Sequence, residues 1–233
     1  MPTLAQIPMT ATGEGYLIKV LLAQKLGVRR SLRPRTPSGR EYEFDLRGHV
    51  SSSWRVRVGS NLANDGGNVY VLRAIVLHQQ YDALTADNDI AVLRTENLIS
   101  YESDRIAPAS ISGAGYNVAD NQPVWAVGWG AVSSGGPSSE QLQHVHLRIV
   151  DLSLCQLRYS ELGMRVTDNM LCSGWLEGGG RGICDQDAGG PLVHNRVVVG
   201  VLSWSQLCGL ARYPSVSTRI SNYIAWIRSV ATG

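Results

Sequence analysis

The sequence predicts an all-β protein that closes on a single helix, and three observations lead there. Short β-prone runs recur from residue 55 onward. Clusters of turn formers separate them, at Asn64-Asp65-Gly66-Gly67, Ser133 to Ser139 and Gly178-Gly179-Gly180. Convincing helical spacing occurs once, near the C-terminus. Many short strands punctuated in this way make a sandwich or a barrel.

Each element has its own reason. Arg55-Val56-Arg57-Val58 alternates, as a half-buried strand does. Val69 to Leu77 is a longer β-prone run that ends at His78. Ile90 to Leu93 is a short apolar run, and Val124 to Val127 leads into Gly128-Trp129-Gly130. Val145, Leu147 and Ile149 alternate with His144, His146 and Arg148, which puts the two histidines on one face of a strand. Val197 to Val201 is continuously apolar and predicts a strand buried on both faces. Ile220, Tyr223, Ile224 and Ile227 follow the i, i+3, i+4, i+7 spacing of one apolar helix face, with Ser217 or Thr218 as the expected cap. No fixed-period repeat is present.

A chain of 233 residues suits one large all-β domain or two small ones. No apolar run approaches the roughly 18 residues of a membrane span, so no membrane role is expected. Leu17 to Ala23 is broken by Lys19 and is too weak for the core of a secretory signal. Charge divides the chain near residue 50. The first 50 residues carry eight Lys/Arg and four Asp/Glu, whereas the remainder carries 13 Arg and 15 acids. Both lysines and the single Phe, Phe44, lie in this head. We therefore read residues 1–50 as a separate basic head and 51–233 as the folded domain. The run Arg29, Arg30, Arg33, Arg35 and Arg40 contains Pro34 and Pro37 and few aromatics. It could touch an acidic partner or a membrane surface, but it reads as a solvated, poorly ordered arm, and no nucleic-acid partner is expected.

All four cysteines lie in the second half, at 155, 172, 184 and 208. None forms a C-x-x-C pair, which argues against zinc. An even count in a β-rich chain favours disulfides and an oxidising compartment, with three pairings open. Sequential pairing would close two modest loops, each stabilising by about 3 kcal/mol. Asp82, Asp87 and Asp89 do not fit a calcium loop, and Gly178 to Gly180 lack the context of a phosphate cradle. No cofactor or metal is implied.

Residues 182–191 read Gly-Ile-Cys-Asp-Gln-Asp-Ala-Gly-Gly-Pro. Upstream stand Asp87-Asn88-Asp89-Ile90-Ala91-Val92-Leu93, Gly128-Trp129-Gly130 and Asn169-Met170-Leu171-Cys172. Ser203-Trp204, Tyr213-Pro214-Ser215-Val216 and Trp226-Ile227 follow. In order and spacing these segments resemble the chymotrypsin/trypsin-like S1 serine proteases, in particular their insect digestive branch. The resemblance runs from Trp54 to Gly233. It implies two six-stranded barrels with a cleft between them, a C-terminal helix, and the pairs Cys155–Cys172 and Cys184–Cys208. The first barrel is expected to be incomplete, because residues 1–50 do not resemble the family's opening strands. The resemblance also implies an extracellular monomer whose partners are polypeptide substrates or protease inhibitors.

The family's chemistry needs a Ser nucleophile, a His base, an Asp that orients the base, and two backbone N–H groups that hold the oxyanion. Asp89 matches the orienting acid. Ala188 occupies the nucleophile position, and a methyl group cannot attack a carbonyl. No histidine stands in the family's Ala-Ala-His-Cys context. His49 lacks that motif and lies too close to Trp54, and His78 falls in a stretch the family uses structurally. Gln186 replaces the oxyanion Gly, where it restricts the backbone and puts a side chain in the cleft beside Ala188. Gly182 stands where trypsins carry the Asp that selects basic side chains, and Ile183 follows it. Ser203 and Trp204 line the substrate strand. Ser205 and Ser215 replace pocket glycines and should narrow the pocket. Asp187 matches the acid that pairs with the family's new N-terminus, for which no matching start is present. We expect it to be partly solvated or paired with an Arg. The sequence leaves open an inactive binding homologue, an endopeptidase with unconventional residues, and a misassembled or functionless product of a protease gene.

Overall fold

The computed structural model describes the backbone of residues 16–18 and residues 54–102 and 104–231. The basic run Arg29 to Arg40 and His49 lie outside the described residues. Among the described residues, eleven strands form two sheets and two α-helices accompany them. The first has the order β1-β4-β3-β2. Its members are β1 (Tyr16–Ile18), β2 (Arg55–Val58), β3 (Asn68–Leu77) and β4 (Ala91–Thr95). The second runs β11-β8-β7-β6-β9-β10-β5, and an added β11–β10 pairing closes six of its strands into a barrel. The six are β6 (Pro123–Gly128), β7 (Gln143–Val150), β8 (Met170–Gly174), β9 (Pro191–His194), β10 (Val197–Trp204) and β11 (Ser215–Arg219), and β5 (Ser110–Ile111) adds to β10 outside the ring.

The two halves differ in closure. Among the described residues the first sheet remains open, with β2 at one edge and β1 at the other. Tyr16, Leu17 and Ile18 pair antiparallel with Arg94, Leu93 and Val92, so a strand from the head lies along β4. A small core of Val56, Val58, Leu72, Leu93, Ile99 and Ile106 backs this sheet. The closed barrel is filled by Val124, Ala126, Leu147, Ile149, Leu171, Leu192, Val199 and Leu202 from its alternating strands. As its composition requires, β10 is buried across Val198 to Leu202.

Both disulfides implied by the resemblance are formed, Cys155–Cys172 and Cys184–Cys208. Two helical features depart from expectation. The C-terminal segment begins as a 3-10 turn, Ile220–Tyr223, and continues as α2, Ile224–Ala231. Its N-cap is Arg219, with no side-chain capping bond, so neither Ser217 nor Thr218 caps it. Both belong to β11, and the Thr218 hydroxyl donates instead to the Asp89 carbonyl at 2.7 Å. A further helix, α1 (Leu152–Ser160), was not foreseen. It buries only Cys155 and Tyr159, too little periodicity to read from sequence. Its signal is the cap: the Asp151 carboxylate accepts from the Leu154 N–H at 2.7 Å. The Tyr159 hydroxyl donates to the Pro214 carbonyl at 2.6 Å, tying α1 to the segment before β11.

Candidate active site

The loop between β8 and β9 carries the signature segment, and β10 supplies the strand beside it. Asp187 explains the neighbouring glycines. Its carboxylate accepts the N–H of Gly130 at 2.8 Å and of Cys184 at 3.0 Å. A Cβ built on Gly128 would meet Asp187 Oδ1 at 2.0 Å, and one on Gly130 would meet it at 2.5 Å. Gly128-Trp129-Gly130 is therefore the surface against which this acid closes. Of the two expectations for Asp187, partial solvation agrees with its half-buried state, whereas no Arg among the described residues pairs with it and two backbone amides hold it. Burial pushes its carboxyl pKa up, the two amides oppose the rise, and Asp185 adds to it. Beside Asp187 lies a cavity of about 410 Å³ walled by Gly128, Gly130, Gln143, His144, Arg181 and Gly182, among others.

Ala188 follows on the same loop, half-buried, with Gly189 and Gly190 behind it. The turn is fixed from both sides: Gly189 N–H donates to Leu202 O, and Leu202 N–H donates to Gly190 O, each at 2.8 Å. Gln186 holds a left-handed backbone, φ 72°, at a position that favours glycine. The bend is thus kept despite the side chain.

Asp89 precedes β4 and is half-buried. The Ser203 hydroxyl donates to its Oδ2 at 2.7 Å, while Thr218 holds its main chain. The second barrel, through β10 and β11, thereby orients an acid that belongs to the first. Four of the five histidines are described, and none of them hydrogen-bonds to Asp89. His78 accepts from the Gln80 N–H at 3.3 Å and meets the rings of Tyr223 and Trp226 at 5.3 and 4.9 Å. His194 bonds Tyr116. His144 and His146 lie on β7, exposed and half-buried respectively.

Ser205 and Ser215, expected from the resemblance to line the pocket, converge on Ile183. Its N–H donates to Ser215 Oγ at 3.0 Å, and Ser205 Oγ donates to its carbonyl at 3.5 Å. A Cβ on Gly182 would meet Gly209 N at 2.8 Å and Gly209 Cα at 2.9 Å. Gly182 is therefore packed against main chain. Trp204, half-buried, stacks edge-on with Tyr159 at 4.8 Å. Sequence reasoning missed the roles of Thr218 and Gly209. Their contacts are made across sheets and loops, and no local spacing marks them.

An open sheet and a closed six-stranded barrel, joined at Asp89, Ser203 and the loop of Ala188, define the two-barrel serine protease class. Residues 47–227 match the family model described as Trypsin, and the chain belongs to that family. It is 52% identical to Trypsin CFT-1 of Choristoneura fumiferana over 184 residues, 79% of this chain and 72% of that one. It is 53% identical to Trypsin, alkaline A of Manduca sexta over 182 residues, 78% and 71% of the two chains. Achelase-1 of Lonomia achelous is 44% identical over 188 residues, 79% of each chain.

Proposed function

We propose that this trypsin-family chain does not cleave peptide bonds and instead binds polypeptides, protease inhibitors among them, through its cleft and loops, as a decoy or regulator. The observation that carries the reading is Ala188. It sits between Asp187 and Gly189-Gly190, where the family places its nucleophile. In a comparable protease, loss of that hydroxyl costs on the order of 10⁶ in turnover and leaves a residual of roughly 10³–10⁴ over water. The retained main-chain bend at Gln186 and the supported Asp89 keep the shape of a binding cleft without its reactive group. Gly182 adjoining Gly209 removes both the acid and the room that a basic side chain would need. Two disulfides support an extracellular setting. No described helix is long and apolar enough to cross a membrane. We take the protein to act as a monomer.

The test combines a serine-directed phosphonate, a casein turnover assay and binding to immobilised protein protease inhibitors. No labelling, no turnover and saturable inhibitor binding are expected. Stoichiometric labelling or sustained casein cleavage refutes the inactive reading. An unconventional endopeptidase is the alternative, favoured by the intact Asp89–Ser203 pair.

A further inference from the structure

A row of aromatic and cationic side chains crosses the face of β6 and β7 on which Trp125 stands. Strand alternation puts His144, His146 and Arg148 on one face of β7. Register sets Trp125 of β6 opposite His146, and Arg148 opposite Gly174, the last residue of β8. Trp175 follows Gly174 and reaches the same face. The rings form a chain: Trp125 to His144 at 5.3 Å, Trp125 to His146 at 4.9 Å, and His146 to Trp175 at 6.3 Å. Two guanidiniums lie on Trp175, Arg181 at 4.4 Å and Arg148 at 5.8 Å from the ring centre.

The row is unbalanced in charge. Neither guanidinium has a carboxylate within ion-pair distance among the described residues. Arg148 donates to the main-chain carbonyl and the Oδ1 of Asn121 and rests on the indole. His144, Arg148 and Arg181 are exposed, and the three rings between them are half-buried. Trp and Arg are the residues in which the energetic centres of protein interfaces are enriched. A guanidinium already stacked on an indole has lost much of its freedom and meets a carboxylate at low entropic cost.

We propose that this row docks an acidic polypeptide segment, with Arg148 and Arg181 taking carboxylates and Trp125 and Trp175 taking apolar or aromatic side chains between them. A polypeptide fits better than a polysulfated glycan, because the face offers two arginines and no lysine while most of its contact area is ring surface. The site goes beyond binding through the cleft and does not depend on it. His144 and Arg181 also wall the cavity at Asp187, so a bound segment touches that wall.

The probe is a fluorescently labelled dodecapeptide of alternating Glu and Tyr, titrated with the full chain and followed by anisotropy. Saturable binding is expected. It should weaken about tenfold or more in Arg148→Ala and in Arg181→Ala, and fall steeply between about 0.05 and 0.5 M salt, where screening shortens to a few Å. Both arginines are exposed, and an unchanged melting temperature confirms that the variants fold. Arg181→Lys, which keeps the charge but loses the planar stack, should bind between wild type and Arg181→Ala. Three results overturn the proposal: no saturable binding, equal binding by the double variant Arg148→Ala/Arg181→Ala, or binding of a heparin octasaccharide with none of the peptide. Because the probe is read without an inhibitor in the cleft, a protein that binds no inhibitor still passes or fails this test.

Discussion

Ala188 is one of several residues whose side chains set the chemistry of the loop without disturbing its shape. On the proposed reading, Ala188→Ser supplies a hydroxyl without a base, since none of the described histidines bonds Asp89. We expect that variant to stay unlabelled by a serine-directed phosphonate; labelling would show that a histidine reaches position 188. Gln186 pays for its left-handed backbone at φ 72°, a conformation that disfavours a residue with a Cβ by about 1 kcal/mol or more. Gln186→Gly should therefore raise the melting temperature by roughly 2–4 °C for a domain of this size, read by calorimetry. Gly182→Asp must displace the Gly209 main chain, 2.8 Å from where its Cβ would stand. It should cost about 1–3 kcal/mol in urea unfolding, as overpacking does. At this scale the sequence marked Ala188, Gln186, Gly182 and Asp89 by motif position, and the structure adds what each of them touches. What the sequence hid is the reason for Gly128 and Gly130, which is the carboxylate of a residue far along the chain.

At the scale of elements, the end of β3 and helix α2 meet at His78. Its ring lies between Tyr223 and Trp226, and Trp226 Nε1 donates to Gln79 Oε1 at 3.1 Å. Burial lowers the His78 pKa from 6.5, against a smaller upward pull from Asp87. A histidine with a lowered folded-state value stabilises the fold above 6.5, and that contribution is lost as pH falls below it. Melting temperature should therefore decline on acidification through that range. In His78→Gln the decline should flatten, whereas an identical pH profile would remove His78 as its source. Strands with clean alternation or continuous apolar runs, β2, β6, β7 and β10, were readable because burial alone shapes them. Helix α1 was not, because its stability rests on the Asp151 cap, the Cys155–Cys172 bond and one buried tyrosine rather than on an apolar stripe. The cap of the C-terminal segment was misread because Thr218 satisfies its hydroxyl across the molecule, on the Asp89 carbonyl.

For the whole molecule, closure separates the two halves. The second sheet closes through β11–β10 and surrounds a continuous core, and both disulfides lie in its half of the chain. The first is an open four-stranded sheet with a smaller core. Amide hydrogen exchange should report this directly: β6, β8, β9 and β10 should be protected well beyond β2, whose outer edge lacks a partner strand among the described residues. Equal protection in the two halves would show that the first sheet is completed elsewhere. Composition, turn punctuation and motif order by themselves determined the all-β class and the trypsin-like family, because these depend on residue type and local spacing. Only the tertiary structure decided how Asp187 is satisfied, that Ile183 is clasped by Ser205 and Ser215, and that Trp125, His146 and Trp175 align with two arginines. Each of these joins residues distant in the chain, and which groups meet there is set by barrel closure and strand register.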